Sequence, residues 1–378
     1  MIARRVQVLF FLGLVCGAIT VYQYQEPRVD TVALRSEKSK AEYPNEPLYL
    51  GYEKIGLELP LAPQKARGRL SIALVFFGLV KSVSSEQIEA LQDNIIAPLN
   101  EIGNVEIFLH TYREESFSNP RNKESSAIDQ RGAIKMIRKA LSPRPLRVQI
   151  DDSLEAHRYF GPTLWYLRHG GAWKQHSLLS THFYLRQQYS LLRATDMWTG
   201  VNYSSLQDSA ARLPSIASRY SCVVYVRPDL LFDSPLPRDA LRTVCRLPNE
   251  GHRDVVIPFV EFGGWNDRSA FGTPEGMALY GLRGMRLRAF TEAKQIPHAE
   301  SYLARFLCEN NVTVHLAPWT ARRIRANGHL ADFAAPKQLR RYFANQTQLW
   351  AEFTRIARED DPLKANPMNC MPKSMWSS

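Results

Sequence analysis

The stretch Ser221-Cys-Val-Val-Tyr-Val-Arg-Pro-Asp-Leu-Leu-Phe-Asp233 decides the fold class. Cys222 to Val226 is a near-continuous apolar run, the pattern of a central parallel strand covered on both faces. It leads straight into Arg227, Asp229 and Asp233. Charged residues at the carboxyl end of such a strand stand where open α/β sheets hold their ligands. Asp229 and Asp233 suit a divalent metal and the Arg227 guanidinium suits a phosphate, the parts of a nucleotide-sugar site. The same residues equally suit a plain turn, with Arg227 pairing one of the carboxylates.

Outward from this stretch, strands and helices alternate. Leu70 to Phe77 reads as a buried strand, and Ser84 or Ser85 caps a helix through about Ile96. Val105 to Leu109 is a second strand, Glu124 to Leu141 a helical segment, and Leu146 to Ile150 a third strand. A long helix spans Ser177 to Ala194, with Leu178, Phe183, Leu185, Tyr189 and Leu192 along one apolar face. Cys222 to Val226 is the fourth strand and Asp254 to Phe259 the fifth. That order predicts βαβ units, and so an α/β domain with a mostly parallel sheet flanked by helices. Beyond it the pattern is less regular: helices over Pro274 to Gly281 and His298 to Glu309, a strand over Val312 to Leu316, and a helix over Pro336 to Ala357.

The N-terminus bears on compartment. Arg4 and Arg5 precede an apolar run from Val6 to Tyr22, of a length that spans a bilayer at its short end. The positive residues favour a cytoplasmic tail (1–5), a signal-anchor transmembrane helix (6–22) and a translocated remainder. A cleaved signal peptide is the competitor, although Tyr22-Gln-Tyr-Gln-Glu26 is a poor cleavage context. Residues 23–68, with Pro27, Pro44, Pro47, Pro60 and Pro63, read as a stalk, 69–358 as the folded domain and 359–378 as an irregular tail. Sequons at Asn202, Asn311 and Asn345 fit a lumenal domain. Of five cysteines, Cys222, Cys245, Cys308 and Cys370 lie beyond the anchor and allow two disulfides, while Cys222 also suits a free core position. The formal charge is +11 over 378 residues, two of the positive charges being Arg4 and Arg5. Such a balance points to acidic ligands such as a nucleotide diphosphate. No nucleic-acid motif is present, and a lumenal compartment argues against that partner.

Four further constellations carry chemistry. Phe77-Gly-Leu-Val-Lys-Ser-Val-Ser-Ser85 is a strand-to-helix turn that offers Lys81 and helix N–H groups to a phosphate. It lacks the second glycine of a Walker loop. Phe262-Gly-Gly-Trp-Asn-Asp-Arg-Ser-Ala-Phe-Gly272 mixes Trp265 as a sugar platform with Asn266, Asp267 and Arg268. His298-Ala-Glu300 puts Glu300 in a first helical turn, where it suits an acceptor base or simply the helix dipole. Arg322-Arg-Ile-Arg-Ala-Asn-Gly-His329 offers Arg322 and Arg325 to a pyrophosphate ahead of an Asn327-Gly328 turn. His169-Gly-Gly171 with Trp173 suits a lid, and His110 suits a structural role. No serine-hydrolase elbow, zincin helix or kinase signature appears.

Phe76-Phe-Gly78, Asp93 to Leu99, Val105 to His110, Tyr225 to Phe232, Asn266 to Gly272 and His298-Ala-Glu300 follow one another in this order. Together they resemble a group of eukaryotic type II membrane proteins related to GT-A-fold glycosyltransferases, over about residues 70–330. The resemblance implies a Rossmann-like GT-A domain in the Golgi lumen, a nucleotide-sugar donor, a glycan or glycoprotein acceptor and usually a manganese ion. It makes Asp229 the first-choice metal ligand, Asp233 a weaker one, and Asp267 or Glu300 the base. The usual Asp-x-Asp pair is here Arg227-Pro-Asp229, so Arg227 can instead replace part of the metal's charge. Two rivals remain: a Golgi sulfotransferase using Lys81 for its phosphosulfate donor, and a non-catalytic, lectin-like or chaperone relative.

Overall fold

A computed structural model describes residues 69–81, 83–119, 124–167, 177–205, 219–247, 251–258, 265–293, 299–317 and 319–331. In chain order, β1 (Leu70–Phe77) is followed by α1 (Ser85–Leu91), a π-helical turn Gln92–Ile96, and α2 (Ala97–Ile102). Next come β2 (Gly103–Arg113), β3 (Ser116–Asn119), β4 (Glu124–Ala127) and α3 (Gln130–Leu141). Then follow β5 (Leu146–Asp152), α4 (Ser153–Leu167), α5 (Ser177–Thr199), β6 (Cys222–Val226), β7 (Leu230–Phe232) and α6 (Arg238–Cys245). The remainder is β8 (Asp254–Pro258), β9 (Ser269–Gly272), α7 (Pro274–Leu282), α8 (Leu287–Glu292), α9 (Ala299–Glu309), β10 (Thr313–Ala317) and β11 (Ala321–Arg323).

Seven strands form the central sheet in the order β10-β8-β9-β6-β1-β2-β5. The β1–β2, β2–β5, β1–β6 and β8–β10 pairs are parallel, while β9 runs antiparallel to both β6 and β8. This is the mostly parallel, Rossmann-like α/β sheet that the alternation of elements predicts. The chain winds one way from β1 through β2 to β5, then crosses back to place β6 on the other side of β1. The order therefore reverses beside β1, which creates a crevice at the carboxyl ends of β1 and β6.

Both faces of the sheet are covered, and the pleat sorts side chains between two cores. Ala73, Val75 and Phe77 of β1, with Phe108 and Tyr225, join Leu185, Tyr189 and Leu192 of α5 and residues of α7 and α9. On the other face Ile72, Leu74 and Phe76, with Ile107 and Val224, meet Ile95, Leu99, Ile137 and Leu241. Burying each such side chain contributes roughly 1.5–3 kcal/mol, so the alternating apolar strands fix their own register.

Local signals set the helix starts. Ser84 Oγ accepts from Gln87 N at 3.1 Å while Gln87 Oε1 accepts from Ser84 N at 3.0 Å, a complete capping box that starts α1. Gly78 ends β1 at φ 105°, a conformation that favours glycine, and its N–H donates to Ser190 Oγ at 2.7 Å.

Several expectations are corrected. Glu124–Ala127 is a strand, not the start of a helix: it pairs antiparallel with β3, and α3 begins only after its Asp129 cap. Helix α4 was not expected, β2 is longer than its apolar centre, and β9 is an antiparallel strand in mid-sheet. Cys222 is not a free core residue but is disulfide-bonded to Cys245, with Cα atoms 4.8 Å apart. Cys308 is also disulfide-bonded. Among the described residues no helix is long and apolar enough to cross a membrane. The anchor, stalk, Pro336 to Ala357 helix, tail, Asn345 and the stretch around His169 and Trp173 lie outside the described residues.

The Cys222–Cys245 bridge closes a loop over 23 residues of sequence. Removing it with paired Cys222→Ala and Cys245→Ala changes is expected to cost about 3 kcal/mol through the unfolded chain. Denaturant unfolding of variant and wild type, each with and without reductant, checks this. Equal stability of the two oxidised proteins would refute it.

Candidate functional site

Three features of chain direction bring charged residues to one edge. Lys81 follows the carboxyl end of β1, and Arg227 and Asp229 follow that of β6. Because β9 is antiparallel, its first residues lie beside the last of β6, with Ser269 opposite Val226. The loop Trp265–Arg268 therefore reaches the same edge, and the Arg268 carbonyl accepts from Arg227 N at 3.0 Å. β11 pairs antiparallel with β7 just beyond Asp229, so Arg323 lies opposite Leu230.

The resulting cluster is built on two buried carboxylates. Asp229 accepts from Arg227 Nε at 2.9 Å and Nη2 at 2.7 Å, with Lys81 Nζ 3.9 Å away. Burial works to raise the Asp229 pKa, but Arg227 and Lys81 outweigh it and hold the carboxyl well below the usual carboxylate range. Glu124, from β4, accepts from Arg325 Nη1 at 2.8 Å, Lys81 Nζ at 3.3 Å and Ala326 N at 3.3 Å. Arg323 Nη2 stands 3.8 Å from the same carboxylate, and its buried Nε has no hydrogen-bond partner. Burial lowers the Arg323 pKa to about 10; Asp229 opposes this, while Arg227, Arg325 and Arg268 add to it. Lys81 is likewise lowered by burial, against the pull of Asp229 and Glu124, and its ammonium lies 4.1 Å from the Phe117 ring centroid.

The second group flanks this cluster. Asp267 is buried and accepts from Gln187 Nε2 at 2.7 Å. Glu300 opens α9, and its backbone carbonyl accepts from Trp265 N at 3.3 Å. Both carboxylates act on the Tyr184 hydroxyl, which burial above all holds well above its ordinary pKa. Asn266 serves the turn itself, its Oδ1 accepting from Arg268 N at 2.9 Å and Ser269 N at 3.3 Å. Trp265 is buried in the core shared with α5, α7 and α9 rather than open as a stacking platform.

Two expected residues stand elsewhere. Neighbouring strand residues face opposite ways, so Arg323 turns to Glu124 while Arg322 pairs with Asp233 at 2.7 Å. Asp233 lies four residues beyond Asp229 across the extended β7. At about 3.3 Å per residue their backbones are roughly 13 Å apart. They are therefore not a chelating pair. Among the described residues no group of three or more His, Cys, Asp or Glu side chains is placed to hold a metal ion. The manganese implied by resemblance does not fit the described residues: Asp229 and Glu124 are paired with cations, and Asp233 is remote. At the sequons, Asn202 and Asn311 are exposed, and Ser204 Oγ donates to Asn202 Oδ1 at 2.6 Å.

No family model matches the chain, and no curated protein matches it. Among solved structures it is similar to mouse xyloside xylosyltransferase 1 in its apo form, at 11% identity. The match covers 66% of this chain and 84% of that one at a TM-score of 0.31. A score that low carries no inference of activity.

Several residues of the edge escaped sequence reasoning. Glu124 was placed in a helix, and Gln187 and Tyr184 lay in an ordinary amphipathic pattern. A buried guanidinium, Arg283, lies against Tyr280, donating from Nη1 to the Tyr280 carbonyl at 2.6 Å. A network under the crevice also joins β2 and β5 to α5. His110 Nδ1 meets Ser190 Oγ at 2.7 Å and Nε2 meets Asp151 at 3.1 Å, while Arg193 Nε donates to Asp151 at 3.2 Å. Burial keeps His110 below its ordinary pKa despite Asp151. Burial would raise Asp151, but His110, Gln149 and Arg193 hold it well below the carboxylate range.

These shifts fix the sign of a pH effect. His110 binds a proton more readily once unfolded, so its contribution is complete above about 6.5 and is lost as pH falls below that value. Asp151 adds a loss of the same sign, beginning near 3.9 and extending downward. The His110 contribution is expected to fall between pH 7 and 5, opposed in part by Asp196, whose pKa burial raises to about 6. His110→Gln should cost about 1–3 kcal/mol at pH 7 and flatten that slope. Urea unfolding across the range is the measurement; an unchanged slope would place the titrating group elsewhere.

Proposed function

We propose that this chain is a GT-A-type glycosyltransferase that takes a nucleotide-sugar donor and passes the sugar to a hydroxyl of a glycan or glycoprotein. One observation carries the reading. Among the described residues Lys81, Arg227, Arg323 and Arg325 converge on Asp229 and Glu124 at the crevice where strand order reverses. Open α/β sheets bind ligands at that position, and guanidinium groups match phosphate oxygens in geometry and charge.

In the reaction the acceptor oxygen bonds to the anomeric carbon as the bond from that carbon to the terminal phosphate oxygen breaks. The nucleoside diphosphate leaves with the electron pair, and cations already in place stabilise its developing charge. The acceptor proton passes to a carboxylate. We assign this to Glu300, which opens α9 beside the Trp265–Arg268 loop, with Asp267 as a positioning residue held by Gln187. We further propose a single-pass type II protein of the Golgi membrane, anchored by residues 6–22, with stalk 23–68 and a lumenal catalytic domain 69–358. The Cys222–Cys245 disulfide supports an oxidising compartment.

The first test is thermal unfolding of the purified full-length chain with UDP, GDP, CMP or adenosine 3′,5′-bisphosphate, manganese being present. Ligand at about 100 times its Kd stabilises by about 2.7 kcal/mol, a readable shift. Stabilisation by a nucleotide product of sugar transfer is expected, and its identity names the donor class. A shift with the bisphosphate alone would replace the reading by a sulfotransferase, and no shift at all by a non-catalytic relative. Once a donor is known, Glu300→Gln should lower kcat by about 10²–10⁴-fold with donor affinity kept. Unaltered turnover would remove Glu300 from the chemistry.

A further inference from the structure

We infer that the donor diphosphate is held by this chain's own cations, Arg227, Arg323, Arg325 and Lys81, in place of a divalent metal. The inference rests on the donor reading above and adds to it a mode of phosphate recognition.

The carboxylates are the first reason. A metal at Asp229 would have to displace a bidentate guanidinium at 2.9 and 2.7 Å inside a buried pocket. Breaking a buried pair leaves an uncompensated charge, a strongly unfavourable exchange. Glu124 is held in the same way by Arg325, Lys81 and the Ala326 N–H. A divalent cation arriving at either carboxylate would also meet several fixed positive charges at close range.

The cations are the second reason. Among the described residues four of them face two carboxylates, an excess of two positive charges at one crevice. A sugar-linked nucleoside diphosphate carries one negative charge on each phosphate, so the excess matches it. Arg323 is the least satisfied member: its Nε is buried without a partner and its closest carboxylate oxygen is 3.8 Å from Nη2. A buried donor of this kind is costly to leave unmet, and a phosphate oxygen supplies what it lacks. The side chains of Arg227, Arg323 and Arg325 retain about a fifth of their surface, so the crevice remains reachable from solvent. Lys81 and Asp229 lie deeper, and Asp229 and Glu124 hold Arg227 and Arg325 in position.

Isothermal titration of the full-length chain with UDP and with GDP, each in excess EDTA and again in manganese chloride, tests this. The better of the two ligands is expected to bind in EDTA within about threefold of its affinity in manganese. Arg323→Gln and Arg325→Gln should each weaken that binding about tenfold or more in EDTA. Binding seen only with manganese would overturn the inference and leave the glycosyltransferase reading standing. Absence of binding by either nucleotide in both buffers would overturn the inference and the donor reading together. The wild-type comparison decides the matter even where a variant fails to fold.

Discussion

Burying Asp229 obliges the chain to keep a cation against it, and much of the crevice follows from that constraint. Arg227 meets both carboxylate oxygens, while its backbone N–H is held by the Arg268 carbonyl. The Asp229 carbonyl in turn accepts from Ile324 N at 2.8 Å, which ties in the segment after β11. One ion pair thus registers the end of β6, the entry to β9 and the arginine-bearing strand. Replacing any one of them without its partners leaves a charge buried alone, which low-dielectric surroundings penalise by several kcal/mol. The cluster is therefore pre-organised: its charges stand in place without any ligand.

The strands were the most legible part of the sequence. β1, β6 and β8 are short apolar runs ended by charge or glycine, and a strand buried on both faces admits little else. β9 was harder, because Ser269-Ala-Phe-Gly272 has no length or alternation of its own and becomes a strand by fitting between β6 and β8. Helix α4 follows directly on β5, with no break residue between them to announce it. Glu124 was misplaced because Glu-Ser-Ser-Ala carries no strand pattern; pairing with β3 and the pull of three cations decide its conformation.

At the site, Lys81, Arg227, Asp229 and Arg325 were legible as charges at strand ends. Which members of a charged run face inward was not. Arg322 and Arg323 are adjacent and chemically alike, and only the pairing of β11 with β7 sends one to Asp233 and the other to Glu124. Reading Asp229 with Arg227 as a plain paired turn described the pair's geometry correctly, and reading Asp229 with Asp233 as a chelate did not. Sequence spacing cannot tell a carboxylate that awaits a metal from one already satisfied by a guanidinium, since both favour the same residue types at the same strand end.

The disulfide has a topological consequence for this crevice. Cys222 is the first residue of β6 and Cys245 the last of α6, so the bond closes a covalent ring that contains Arg227, Asp229 and all of β7. The bond also attaches at the amino end of β6, the opposite end from the turn that carries Arg227 and Asp229. The strand is thus pinned covalently at its heel, while its tip is held by the Arg227–Asp229 ion pair and by backbone bonds to Arg268 and Ile324.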